Sequence, residues 1–456
     1  MSTQFVIVGG GPAGLNAIET LRALEPDAPI ALVCDEPPCA RMVLPYYVAG
    51  RIEERAVLTA DEAWLRERRV ETHLGRRVTA VEPDAHCVRL DDGSRLEYAK
   101  LLVATGSRVA VPAIDGADGA GVIPMWTLEH ARAFLGGPHG ETVIVGAGFI
   151  AFTILDAVAA RSRRVRFVEV ESQVLPRMLD AASAELVRAR LAERGIEVRT
   201  GARLERIEQA GGRRRLHLAG GATLECDAVV LATGVRPNLE LVQGSGIRVN
   251  HGIVVDERMR TSAPDVYAAG DVAEGPDLLG GARVQAIQPV AVDHGRIAGA
   301  NMAGREAAYA GALTMNIVAA QGLEAASFGR WAELEDASVV ESPAGGAYRK
   351  YVWQGDVLVG GILVGPGAAV SGVNDVGMLK GLIQSGVALG PWKDWLRESP
   401  LDLRRAYVAS GAAARLMQST LLAGRPSQGR SFRFPAVPAR RERSPHHAAL
   451  VSGSPR

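Results

Sequence analysis

The sequence predicts an α/β fold built on two Rossmann-like dinucleotide-binding units, and three observations carry that prediction. A strand-like apolar run leads directly into a glycine-rich loop and a helical pattern, first over residues 5–24 and again from residue 142. Each copy is followed, much later, by an apolar strand that ends in Ala-Thr-Gly. Glycine makes up 52 of the 456 residues, about 11% against a usual share of roughly 7%.

Length and composition set the frame. At roughly 100 to 200 residues per domain, a chain of 456 residues holds several domains. Lys and Arg total 51, balanced by 51 Asp and Glu, and only Lys100, Lys350, Lys380 and Lys393 are lysines. Zero net charge argues against a nucleic-acid binder, which needs a basic surface to displace counterions. Four cysteines exclude a disulfide scaffold and suit a reducing compartment. No basic, cleavable leader precedes the first strand, and apolar runs such as 228–232 or 357–364 are too short or glycine-broken to span a bilayer. A soluble cytoplasmic protein without a membrane span is expected.

The first unit begins with Phe5-Val6-Ile7-Val8, a buried-strand run, and continues into Gly9-Gly10-Gly11-Pro12-Ala13-Gly14. In this G-x-G-x-x-G, Gly9 permits the tight turn, Gly11 lets backbone approach a pyrophosphate, and Gly14 lets helix and strand pack closely. A second strand over 30–33 leads to Asp35-Glu36, about 26 residues after Gly9, where a carboxylate can accept from ribose hydroxyls.

The second unit repeats this pattern at Thr142-Val143-Ile144-Val145-Gly146-Ala147-Gly148-Phe149-Ile150-Ala151, with Ala151 in the third glycine position. Its acid, Glu169, lies 23 residues after Gly146, and a carboxylate there favours a free 2′-hydroxyl over a 2′-phosphate, hence NADH over NADPH. A strand end can also carry such an acid for solvation alone. Two dinucleotide units imply two cofactors, or one cofactor and a decayed copy.

The matched segments are Ala104-Thr105-Gly106 and Ala232-Thr233-Gly234, where glycine after a central strand marks a sharp turn or a close ligand approach. Residues 72–98 and 197–226 read as meanders of short strands, turning at Asp91-Asp92-Gly93 and Ala219-Gly220-Gly221.

The duplicated pattern resembles the pyridine nucleotide-disulfide oxidoreductase superfamily over roughly residues 1–415. It includes Thr261-Ser262-Ala263-Pro264-Asp265-Val266-Tyr267-Ala268-Ala269-Gly270-Asp271, similar to that family's second FAD signature. The resemblance implies an FAD domain over 1–115 and 245–312, interrupted by an NAD(P)H domain over 116–244. A C-terminal α+β interface domain over 313–415 and a disordered Arg/Pro/Ser-rich tail over 416–456 would follow. It also implies FAD contacts at Gly9, Gly11, Pro12, Ala13, Gly14, Asp35, Glu36, Arg41, Ala104, Thr105, Gly106, Gly270, Asp271, Gln288 and Pro289. NAD contacts are implied at Gly146, Gly148, Phe149, Ile150, Thr153, Glu169, Thr233 and Gly234. The helix from Gln288-Pro289 would aim its N-terminus at the flavin, where it stabilises negative charge on the reduced ring. His294, well inside that helix, reads as a packing or surface residue.

The chain departs from this family's pattern where the redox thiol would be. Ala40-Arg41-Met42-Val43-Leu44-Pro45-Tyr46-Tyr47 carries Met42 at the position that single-cysteine members fill with Cys, and a thioether cannot form a thiolate or a sulfenic acid. Cys34 and Cys39 have the spacing of a redox pair, but Pro37-Pro38 keep them off a shared helix. Thr153 stands where many relatives have a Glu that places the nicotinamide amide. No cysteine shows metal-ligand spacing, and no metal is expected.

The resemblance is nearest to nitrite reductase flavin modules, rubredoxin or ferredoxin reductases and NADH oxidases. It implies an FAD-dependent NADH oxidoreductase that hands electrons to an external rubredoxin, ferredoxin or partner reductase subunit, with a homodimer possible. Two alternatives stand beside it: a redox-dependent signalling or assembly protein like apoptosis-inducing factor, and an oxidase or disulfide reductase using Cys34 and Cys39.

Overall fold

The computed structural model describes residues 4–332, 337–341, 347–370 and 374–419. The chain divides after Ala326 into two compact units.

The first unit holds two five-stranded parallel sheets of matching design. In one, the strands run in the order Val266–Ala268, Lys100–Val103, Phe5–Val8, Ile30–Cys34, Val70–Leu74. In the other, the order is Glu197–Arg199, Arg164–Val168, Glu141–Val145, Ala228–Leu231, Val122–Ile123. Each places its glycine-loop strand centrally, between the strand that ends at the acid and the strand that ends in Ala-Thr-Gly. These central strands are apolar on both faces because helices and neighbouring segments cover both, as parallel sheets require.

The expected meanders need correction at their starts. Val70–Leu74 pairs in parallel with Ile30–Cys34, and Glu197–Arg199 in parallel with Arg164–Val168, so both are sheet edges. An exposed edge strand alternates like a meander strand, so the sequence does not separate the two. The antiparallel sets that follow comprise Val78–Glu82, Cys87–Leu90 and Arg95–Glu97, then Leu204–Ala210, Arg213–Leu218 and Thr223–Cys226. Their turns use positive-φ glycines where expected: Gly93 at 84°, Gly220 at 83° and Gly221 at 84°.

The division after Ala326 falls later than the expected domain start at residue 313. The strand Met315–Ala320 belongs with the first unit. Just after it, the Gln321 backbone and side-chain nitrogens donate to Asp156 Oδ1 at 3.0 and 2.7 Å, and Arg190 Nε donates to Gln321 O at 3.2 Å.

Within the second unit, Tyr348–Gln354 and Val357–Pro366 form an antiparallel hairpin turning at Gly355, and Ala337–Glu341 pairs with the first of them. Helices Asp375–Ser385, Pro391–Glu398, Leu403–Ala409 and Ala412–Ser419 follow. A buried ion pair, Arg349 to Asp375 at 2.5 Å, ties the hairpin to the first of these helices. Of the tail expected to be disordered over 416–456, residues 416–419 instead end the helix Ala412–Ser419, and the rest lies outside the described residues. Among the described residues, no helix is long and apolar enough to cross a membrane, and no group of acidic, His or Cys side chains could hold a metal.

Candidate functional site

The two glycine loops are built alike. Gly9 has φ 113°, and a Cβ there would stand 2.2 Å from Ala104 O. Gly146 has φ 95°, and its Cβ would stand 2.5 Å from Ala232 O. Each loop therefore presses on the alanine of its own Ala-Thr-Gly segment. Gly9 N donates to Val33 O and Gly146 N to Val168 O, both at 2.8 Å, which fixes each loop against its acid-bearing strand.

Gly11 and Gly148 differ from these. They cap the helices Pro12–Leu24 and Phe149–Arg161 with φ −80° and −88°, which any residue adopts, and no protein atom lies within 4 Å of a Cβ built on either. Neither backbone conformation nor protein packing calls for glycine there. What remains is an open face at a helix N-terminus, whose free N–H groups and positive dipole end suit a pyrophosphate. The two loops thus fit two dinucleotides.

Around the first loop, Asp271 sits in the short 3₁₀ turn Gly270–Val272 and accepts from Ser107 Oγ at 2.8 Å. Burial pushes its carboxyl above the usual range, against the Ser107 hydrogen bond and the Arg41 charge. Ser107 O accepts from Arg41 Nη1 at 2.9 Å and from Trp126 Nε1 at 2.7 Å. The Arg41 guanidinium lies 5.2 Å from the Trp126 ring centre and pairs with Glu36 at 2.5 Å. Asp35 turns elsewhere, to Arg77 at 3.0 Å. Glu36 is thus the acid that joins the Arg41 cluster. Ser107 and Trp126 were not singled out from sequence, although an isolated Trp in a chain only 5% aromatic was an available signal.

The helix Gln288–Met302 packs on Pro12–Leu24 through small residues. A Cβ on Gly295 would lie 2.2 Å from Ala13 O, and one on Gly270 3.2 Å from Ala13 Cβ. Pro289 lies in the first turn, as expected. His294 is a packing residue: it is buried, meets Tyr309 edge-on at 4.8 Å, and burial pulls its pKa down to about 4.

The Ala-Thr-Gly turns are cross-linked. Ser107–Val109 and Val235–Pro237 form an antiparallel ribbon. Thr105 Oγ1 donates to Asn238 O at 3.2 Å, while Thr233 Oγ1 donates to Ala110 O at 2.7 Å. Both threonine hydroxyl protons serve this ribbon, so what Thr105 and Thr233 can offer a ligand is an acceptor or a backbone group.

All eight residues expected at the nicotinamide nucleotide line one cleft of about 1420 Å³, together with Arg41, Met42, Gln288 and Pro289. The other FAD candidates surround the first loop, outside the lining of this cleft. Glu169 is buried in the wall, its carboxylate accepting from Glu171 N at 2.9 Å and from Ala147 N. Thr153 Oγ1 donates to Ile150 O at 2.7 Å, one turn back in its own helix. Met42 is 62% exposed. All four cysteines are free and buried, and burial with the nearby acids pushes the Cys34 thiol up to about 12. None lines the cleft.

The family model "pyridine nucleotide-disulphide oxidoreductase" matches residues 3–295. The epsilon subunit of NADH-dependent phenylglyoxylate dehydrogenase from Aromatoleum evansii is 30% identical, over 89% of this chain and 97% of its own. The ferredoxin–NAD(+) reductase component of the anthranilate 1,2-dioxygenase system of Burkholderia cepacia is 34% identical, over 67% of this chain and 77% of its own. Among solved structures, an NAD-dependent persulfide reductase from A. fulgidus superposes with a TM-score of 0.80 at 28% identity, covering 86% of this chain and 78% of its own. The chain belongs to the pyridine nucleotide-disulphide oxidoreductase family and is an FAD-dependent NAD(P)H oxidoreductase.

Proposed function

We propose that the chain exchanges electrons between NADH, bound by the second glycine loop, and an external carrier protein or partner subunit, by way of FAD at the first loop. The observation that carries this reading is the shared cleft. It takes in every second-loop candidate and also Arg41, Met42, Gln288 and Pro289 from the flavin side. Its volume of about 1420 Å³ exceeds the roughly 300–1,000 Å³ of a site for one small ligand, which leaves room for a nicotinamide beside a second ring. Bound FAD supplies the exchange between a two-electron and a one-electron donor or acceptor.

The protein's own residues do the rest. The open backbone at Gly11 and Gly148 receives the two pyrophosphates. Arg41, held by Glu36 and Ser107 and lying over Trp126, keeps positive charge near the first loop. The N-terminus of Gln288–Met302 favours negative charge on a ring seated before it. In this reading, residues 1–115 with 245–312 bind FAD and 116–244 bind NADH. The buried Glu169 keeps lone pairs for a free ribose hydroxyl, which supports NADH over NADPH.

A carrier or partner as the redox counterpart is supported by the absence of any thiol at the cleft and by relatives named as a ferredoxin reductase component and a dehydrogenase subunit. The burial of Cys34 and Cys39 speaks against a dithiol relay. Four free thiols fit a cytoplasmic setting.

The test is anaerobic reduction of the purified flavoprotein by NADH and NADPH, then stopped-flow reoxidation by a ferredoxin, a rubredoxin, oxygen and a disulfide. Reduction by NADH and fastest reoxidation by an iron–sulfur or rubredoxin carrier is expected. A protein that takes up no flavin, or one reoxidised fastest by a disulfide, sinks the proposal.

A further inference from the structure

Gln285 precedes the helix Gln288–Met302, is only 8% exposed, and lines the cleft. Its amide nitrogen is surrounded by oxygens: Asp277 Oδ2 at 2.9 Å, Ala312 O at 2.9 Å and Thr314 Oγ1 at 3.3 Å. A carboxylate and a carbonyl only accept, so the two amide protons belong there and the orientation of the side chain is fixed. Asp277 is itself locked. Its side chain is 2% exposed, its Oδ2 also accepts from Thr314 Oγ1 at 2.8 Å and pairs with Arg283 Nε at 3.0 Å, and its Oδ1 takes Leu279 N at 2.8 Å. The amide oxygen of Gln285 has no partner among the described residues, and it is the end of the side chain left to meet the cleft.

We infer that Gln285 presents Oε1 to the cleft as the acceptor for an amide-type N–H. That chemistry is shared by the carboxamide of a nicotinamide nucleotide and the imide edge of a flavin. The inference rests on the proposed function and adds a residue that reads the ring rather than the phosphates. A buried acceptor facing a donor of fixed geometry discriminates against an analogue lacking that donor, because the acceptor is then left unpaired.

The test titrates two ligand pairs into wild-type protein and Gln285→Met. Oxidised flavoprotein receives NAD+ and its 3-acetylpyridine analogue, which lacks the amide N–H, with the flavin spectrum reporting binding. Flavin-free protein receives FAD and N3-methyl FAD. Gln285→Met is expected to lose roughly 3- to 10-fold in affinity for the N–H ligand of one pair, while its affinity for the matching analogue is unchanged. Loss confined to NAD+ identifies the carboxamide as the group read; loss confined to FAD identifies the flavin imide. Equal affinities for wild type and variant in both pairs overturn the inference while leaving the proposed function standing. Should Gln285→Met fail to fold, the wild-type pairs decide: an analogue that binds as tightly as its parent in both pairs overturns it. Wild-type protein that binds neither FAD nor NAD+ removes the proposed function, and the inference with it.

Discussion

Ser107 Oγ donates to Asp271 Oδ2 across 164 residues of chain, at 2.8 Å. This bond, together with the Arg41 charge, steadies a buried carboxylate whose pKa burial pushes up. Because the folded value lies above the unfolded one, the cost of keeping Asp271 ionised is absent below the carboxylate range and grows as pH rises through it. Asp271→Asn should therefore raise the melting temperature of flavin-free protein at pH 7, with the gain shrinking toward pH 4. FAD affinity should fall about tenfold, the size of a lost charge-assisted hydrogen bond. Thermal melts of flavin-free protein across pH, with fluorescence titration of FAD, check both halves.

The glycines of the loops should separate folding from binding. Gly11→Ala and Gly148→Ala meet no protein atom, so each should fold normally, the first losing FAD and the second NADH. Gly14→Ala would place its methyl 2.0 Å from Gly9 O and should cost soluble protein. Yield, melting temperature and flavin content distinguish the three.

His294 should make the fold acid-sensitive. Its folded pKa of about 4 lies below the ordinary value of 6.5, so the stability it contributes is fully present above pH 6.5 and is lost as pH falls toward 4. At about 1.4 kcal/mol per unit the loss reaches about 3 kcal/mol. His294→Phe keeps an aromatic edge against Tyr309 and should flatten the melting curve against pH over that window. An unchanged acid limb would show that other groups set it.

Met42 offers a way to label the cleft. With the native thiols all buried, Met42→Cys should be the one cysteine that reacts rapidly with an alkylating reagent in the folded protein. Saturating NAD+ should slow that reaction several-fold. Labelling that ignores NAD+ would place residue 42 away from the bound nucleotide.

Much of this site is visible in the sequence because it is local. Gly9, Gly11 and Gly14 act within six residues, and their spacing states the turn, the open backbone and the helix approach together. The duplicated Ala-Thr-Gly is visible for the same reason, although its partner, the glycine of the loop, is about a hundred residues away. What stays hidden is the long-range choice among similar side chains. Nothing in Asp35-Glu36 says that the first turns to Arg77 and the second to Arg41. Ser107 and Gln285 look like ordinary polar residues until the chain brings Asp271 and Asp277 against them. Edge strands and meander strands share one alternation, so residues 72–74 read as the start of a meander although they belong to the sheet-edge strand Val70–Leu74.

The ribbon joining the two Ala-Thr-Gly turns limits how this duplicated chain can be taken apart. Each turn lends its hydroxyl to the strand that leaves the other, so a fragment cut to contain only the middle unit would leave Thr233 without Ala110 and Asn238 without Thr105. In protein engineering, a transplanted nucleotide module should therefore carry its sibling's strand along with its own, so that both ribbon hydrogen bonds are kept.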